Sequence, residues 1–159
     1  MKQLPVPDQW HLYAAQGWEG LGDHAQANDE LEKIAPELRA HPDVLEVRLH
    51  ICFSAKKWDT CVDIAGEILK LDPSRPEVWI QSSFALYELN RTQEAFDQLL
   101  LVALRFPDES NIAYNLACYC AQLGRLEENQ SWFKKAVAID EHTVKPTGID
   151  DPDLKRLVN

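Results

Sequence analysis

The sequence predicts an all-α protein built from four helical hairpins, and three observations carry the prediction. Ala113 to Asp140 reads as two amphipathic helices joined at Leu123-Gly124-Arg125. Apolar residues recur at helical spacing on both sides of a glycine that can take a turn's backbone angles. The same landmarks return every 34 residues, giving gapless units 8–41, 42–75, 76–109 and 110–143 that begin at Asp8, Pro42, Pro76 and Ser110. Mostly small residues recur where the two helices of each unit cross. The first helix offers Ala15, Leu49, Ser83 and Ala117, and the second Ala27, Cys61, Ala95 and Asn129.

Residues 1–7 are expected to form a short arm, kept extended by Pro5 and Pro7 until Asp8 caps the first helix. That helix runs to about Glu19. Its partner starts near Ala25 and is expected to reach Leu38, with Pro36 kinking or ending it early. In the second unit Pro42 and Asp43 open a helix through Phe53 or Ser54, and Trp58 opens one to Leu71. The third unit runs from Pro76 to about Leu89, turns at Asn90-Arg91 and is expected to return through Arg105, before Phe106-Pro107. The fourth spans Asn111 to Asp140. At the turn-glycine position the four units hold Gly22, Lys56, Asn90 and Gly124. Four residues beyond the crossing, Leu31, Ala65, Leu99 and Phe133 fall on one helical face. In the tail, 144–159, Pro146 and Gly148 signal a loop. A final short helix is expected, with Asp151 as cap, Pro152 at its first position, and Leu154, Leu157 and Val158 covering the last unit.

The period and landmarks resemble the tetratricopeptide repeat over Asp8 to Thr143, about nine tenths of the chain. Trp79, Leu86, Ala95, Leu99 and Pro107 sit where that family's pattern runs, as do Leu116, Ala117, Gly124, Phe133 and Ala136. Arg48 in place of a core leucine, Asn129 in place of a small apolar residue, and Glu141 in place of the terminal proline depart from it. The resemblance implies a right-handed superhelical solenoid with an inner groove, and a noncatalytic scaffold that binds proteins or peptides. NLACY in the last repeat, followed by DPDL in the tail, resembles small bacterial members, which implies a bacterial origin.

With 159 residues and 45% hydrophobic content, the chain can bury a substantial core. Its net charge of -10, with 16 basic residues scattered among 26 acidic ones, argues against nucleic acid and against a membrane surface as partner. The first and third units are the most acidic, which favours ligands that are apolar with neutral or basic flanks. No apolar run has the length of a signal peptide or a membrane span, so a cytoplasmic location is expected.

The four cysteines read as buried small hydrophobes: Cys52 and Cys120 face a partner helix, and Cys61 sits at a crossing. A redox role stays open, since Cys52 and Cys61 approach across their hairpin. Cys118 and Cys120 lie roughly 200° apart around one helix and cannot share a metal. The histidines are dispersed, so no metal and no cofactor is expected.

Two surfaces are candidates for partner binding. By the resemblance, the first helix of each unit lines the groove. That puts Leu12 and Tyr13 there from the first unit, and Glu46, Val47, His50 and Phe53 from the second. Ile80, Gln81, Phe84 and Tyr87 follow from the third, and Tyr114, Asn115 and Cys118 from the fourth. No Lys or Arg is among them, and only Asn115 suits a clamp for a terminal carboxylate, so a chaperone-tail clamp is not expected. Several of these aromatics have an alternative reading as packing between units. The second surface is convex: Leu100, Leu101 and Leu104 stand where the other second helices carry Asp29, Glu32 and Lys33, or Asp63, Glu67 and Lys70, or Gln130, Lys134 and Lys135. Three leucines there make an apolar patch of roughly 200 to 300 Å², suited to a protein partner or a homodimer.

No nucleophile–base pair, phosphate loop or zinc motif is present, so no enzyme is expected. The remote alternative is a thiol or acid/base activity around Cys118 and His50. Within binding proteins, the alternative is a secretion-type chaperone that guards an exported client.

Overall fold

The computed structural model describes residues 4–150 and Leu154. The chain divides into two compact units, Met1–Ser74 and Arg75–Asn159. Every regular element among the described residues is helical.

The first unit contains α1 (Val6–Gly20), α2 (His24–Lys33), a 3-10 turn at Pro36–Leu38, α3 (Pro42–Ser54) and α4 (Trp58–Leu71). α1 pairs with α2 and α3 with α4, while α3 also packs back on α1 and α2. Leu12, Ala15, Ala27, Leu31, Ile34, Val44, Val47 and Ile51 form its core, and Leu4 is buried with them. Glu32 ties the layers at the surface: its carboxylate accepts from Arg39 Nη1 at 2.6 Å and from Arg48 Nη2 at 2.7 Å. Arg48 therefore replaces the usual core leucine by reaching out to a partner. Those guanidinium contacts hold the Glu32 carboxyl below the ordinary carboxylate range, the Arg48 hydrogen bond contributing most.

The second unit contains α5 (Pro76–Glu88), α6 (Thr92–Val102), α7 (Ser110–Gln122), α8 (Leu126–Ile139) and α9 (Glu141–Asp150). α5 pairs with α6 and α7 with α8; α7 packs against both α5 and α6, and α9 lies on α8. Asp140 starts α9, its Oδ1 accepting from the Thr143 N–H at 3.1 Å. Val144 and Leu154 are buried.

The four hairpin turns are one motif written four times. Lys56 and Asn90 have φ of 54° and 60°, and Gly22 and Gly124 have 78° and 73°. At each turn this left-handed residue donates to the carbonyl three back, and the next residue donates to the carbonyl five back: Gly22 to Glu19 and Asp23 to Trp18, Lys56 to Phe53 and Lys57 to Cys52. Asn90 to Tyr87 and Arg91 to Leu86, then Gly124 to Ala121 and Arg125 to Cys120, complete the set. The 34-residue frame therefore finds the same backbone conformation even where glycine is missing. The eight crossing residues, Ala15 and Ala27 through Ala117 and Asn129, are all buried, as are Leu31, Ala65, Leu99 and Phe133. Asn129 earns its place at a crossing by donating from Nδ2 to the Ala117 carbonyl at 2.8 Å, across the closest approach of α7 and α8.

Four boundaries differ from the sequence expectation. Asp8 is not a cap: α1 begins at Val6 with Pro7 in its first turn, where a missing N–H costs nothing. The Asp8 carboxylate instead accepts the Ala35 N–H at 2.7 Å. α2 stops at Lys33, because Ile34 and Ala35 are extended ahead of Pro36, which opens the 3-10 turn. α6 stops at Val102, three residues short of Arg105. Arg105 and Phe106 both donate to the Val102 carbonyl, tightening the chain into a turn ahead of Pro107. Pro146 and Gly148 lie within α9 and not in a loop. The expected helix capped by Asp151, with Pro152, Leu157 and Val158, lies outside the described residues.

Candidate functional site

The first helix of each hairpin was expected to present a wall of side chains. In the first unit, α1 and α3 place Tyr13 in solvent and leave Glu46, His50 and Phe53 half-buried. Phe53 is engaged by Trp58, ring edge to face at 5.2 Å. Leu12 and Val47 are corrections: both are buried among the apolar side chains of the unit's core, so neither offers surface to a ligand.

In the second unit, α5 and α7 lie side by side. Ile80, Gln81, Phe84 and Tyr87 of α5 and Tyr114 and Asn115 of α7 are half-buried. Tyr87 stacks on buried Tyr119 with ring centroids 5.4 Å apart, and Phe84 tilts against Tyr87 at 6.0 Å. The Tyr119 hydroxyl meets Ser83 Oγ at 3.1 Å, and burial pushes its ionisation well above the ordinary range. These aromatics therefore serve packing with part of their surface. Cys118 is a further correction, buried and withdrawn from the wall. Gln81 adds a feature the sequence did not reveal: its Oε1 is buried and has no hydrogen-bond partner among the described residues.

The convex surface is more open. Ala95, Phe96, Leu99 and Val102 face inward from α6, which leaves the opposite side to Asp97, Leu100 and Leu101. Leu101 is 81% exposed and Leu104 90%, with Leu100 exposed beside them. Leu104 lies just past the helix end, in the turn that stops α6. Higher on the same helix, Gln93 bonds Asp97 at 2.8 Å and accepts from Arg125 at 2.7 Å, so the polar half of the face is tied up while the leucines are not.

Burial favours the protonated form of three of the thiols. All four cysteines are free, and burial raises Cys61 and Cys120 to about 11 and Cys52 in the same direction. Cys118, the sulfur of the remote thiol reading, is buried. Among the described residues, no three of His, Cys, Asp and Glu gather as metal ligands. A cavity of about 240 Å³ opens between α2, α3 and α4 of the first unit, lined by Asn28, Arg48, Cys52, Lys57 and Thr60 over an apolar floor that includes Ile51. No carboxylate lines it, in contrast to the acidic remainder of the chain.

Hairpins that repeat a turn motif and a crossing at a fixed period define a helical-repeat protein. No protein-family model matches the chain. It is 25% identical over 118 residues to the anaphase-promoting complex subunit CDC16 of Saccharomyces cerevisiae, an alignment covering 74% of this chain and 14% of that relative. Among solved structures, MamA residues 41-end from Desulfovibrio magneticus RS-1 has a TM-score of 0.77 at 17% identity, covering 98% of this chain and 91% of that one. A MamA MSR-1 structure has a TM-score of 0.72 at 23% identity, covering 86% and 78%. The chain has the fold of these structures, an all-helical solenoid of the tetratricopeptide-repeat type.

Proposed function

We propose that the chain is a noncatalytic protein-interaction scaffold whose leading contact surface is the leucine patch at the end of α6. The observation that carries this reading is the exposure of Leu101 and Leu104 beside Leu100, where a solvated helix face carries polar side chains. The tetratricopeptide fold supports the general class, since its repeats build rigid surfaces for other proteins. The patch suits an apolar segment of a protein partner, and the acidic chain around it favours neutral or basic flanks on that segment. The α5–α7 wall is a second surface for an extended peptide. Half-buried Phe84, Tyr87 and Tyr114 offer apolar contact there. The net charge disfavours nucleic acid and anionic membranes, and among the described residues no helix is long and apolar enough to cross a membrane. A cytoplasmic location accords with this reading.

The test is capture of lysate proteins by the wild-type chain beside Leu101→Lys and Tyr114→Lys, both checked for unchanged helix content. A prey lost only with Leu101→Lys supports the patch. A prey lost only with Tyr114→Lys moves the working surface to the α5–α7 wall, and a prey set unchanged by both rejects the two surfaces together.

A further inference from the structure

We propose that α1 is a self-association helix, through which two copies of this chain pack antiparallel about a two-fold axis. The face of α1 opposite its buried Leu12 and Ala15 carries Val6, Trp10 and Tyr13, at i, i+4 and i+7. All three are exposed, Trp10 by 70%, and none is covered by the other described residues. Gly17 continues the same stripe one turn further. It sits in ordinary helical backbone, and a Cβ built there would meet nothing within 4 Å. A glycine in a helix weakens it relative to alanine, and nothing among the described residues explains its presence. A second helix approaching closely would.

The arrangement is self-complementary, which points to a second copy as the occupant. Trp10 and Tyr13 lie in the first half of the stripe, and the small Ala14 and Gly17 in the second. With the axis between Tyr13 and Ala14, Trp10 falls opposite the partner's Gly17, Tyr13 opposite the partner's Ala14, and Val6 opposite the partner's Leu21, itself exposed. Charge agrees. Of the charged side chains on α1, Asp8 is engaged by the Ala35 N–H, His11 faces Glu30 at 2.8 Å, and Glu19 is half-buried on the inner side. None stands on the stripe, so two chains of net charge -10 can meet there without apposed carboxylates. The exposed parts of two aromatics and two aliphatics amount to on the order of 400 Å² per copy, about half of a standard interface side, which sets a weak, reversible dimer. Repulsion between the acidic remainders makes added salt strengthen it.

Sedimentation velocity of the full chain from about 1 µM to about 100 µM tests this. The wild type is expected to shift from monomer to dimer across that range, and more readily at higher salt. Trp10→Ala and Gly17→Gln should each weaken association about tenfold or more. Gly17→Gln should at the same time raise the Tm of dilute protein, because a better helix former replaces glycine, so a weakened dimer cannot be ascribed to unfolding. Leu101→Lys should leave the dimer intact, which separates this proposal from the leucine patch. A chain that stays monomeric throughout overturns the proposal. So does a dimer that survives either α1 variant, or one that Leu101→Lys abolishes.

Discussion

Lys56 occupies a left-handed backbone position that Gly22 and Gly124 fill in the equivalent turns. A side chain with a Cβ is strained there by roughly 1 kcal/mol, so Lys56→Gly should stabilise the chain by about that amount in urea unfolding. Asn90 has the same angles with a residue that tolerates them better, and Asn90→Gly should gain less. Asn129 is the opposite case, a polar residue at a close crossing that the repeat pattern alone marks as a defect. Its bond to the Ala117 carbonyl gives it a partner, and Asn129→Ala should cost about 1 to 2 kcal/mol by the same measurement. The identity of these positions was legible in the sequence because the 34-residue frame fixes them. How Asn129 is satisfied was not, since a hydrogen bond between two helices depends on the distance of their approach and not on spacing along either one.

The helices that match the sequence reading are those whose ends carry their own stop, as α4 does between Trp58 and Leu71 and α3 between Pro42 and Ser54. The mismatches fall where proline acts at a distance. Pro36 bends the two residues before it out of the helix, and Phe106-Pro107 follow a turn that has already closed on the Val102 carbonyl. Early closure of α6 matters for the surface, because it places Leu104 in a turn beyond the helical face that carries Leu100 and Leu101. Leu101→Lys should leave the Tm within about 1 °C to 2 °C of wild type, since an exposed side chain contributes little to folding. Of the expected groove residues, periodicity alone could not separate Leu12, Val47 and Cys118 from the wall. A first helix turns one face to its own hairpin partner and another to its neighbours, and only the packing decides which apolar residue each covers. The stripe of Val6, Trp10 and Tyr13 was readable from spacing, but the expectation that α1 started at Asp8 hid its first residue.

At the scale of the whole chain, burial of the thiols ties stability to alkaline pH. Cys61 and Cys120 keep their protons to about pH 11 when folded, whereas the unfolded chain releases them near the ordinary value of 9.0. A group with its pKa raised on folding stabilises fully below its unfolded value and loses that contribution as pH climbs through the folded one. The unfolding midpoint should therefore fall between pH 9 and about 11, and a Cys61→Ala, Cys120→Ala double variant should flatten that decline. The most direct test of the scaffold account is amide hydrogen exchange of the full chain with and without a captured protein partner. Slowed exchange centred on residues 97–105, around the end of α6, is the expected result. A bound partner that leaves those residues exchanging as before, while protecting other helices, would contradict it.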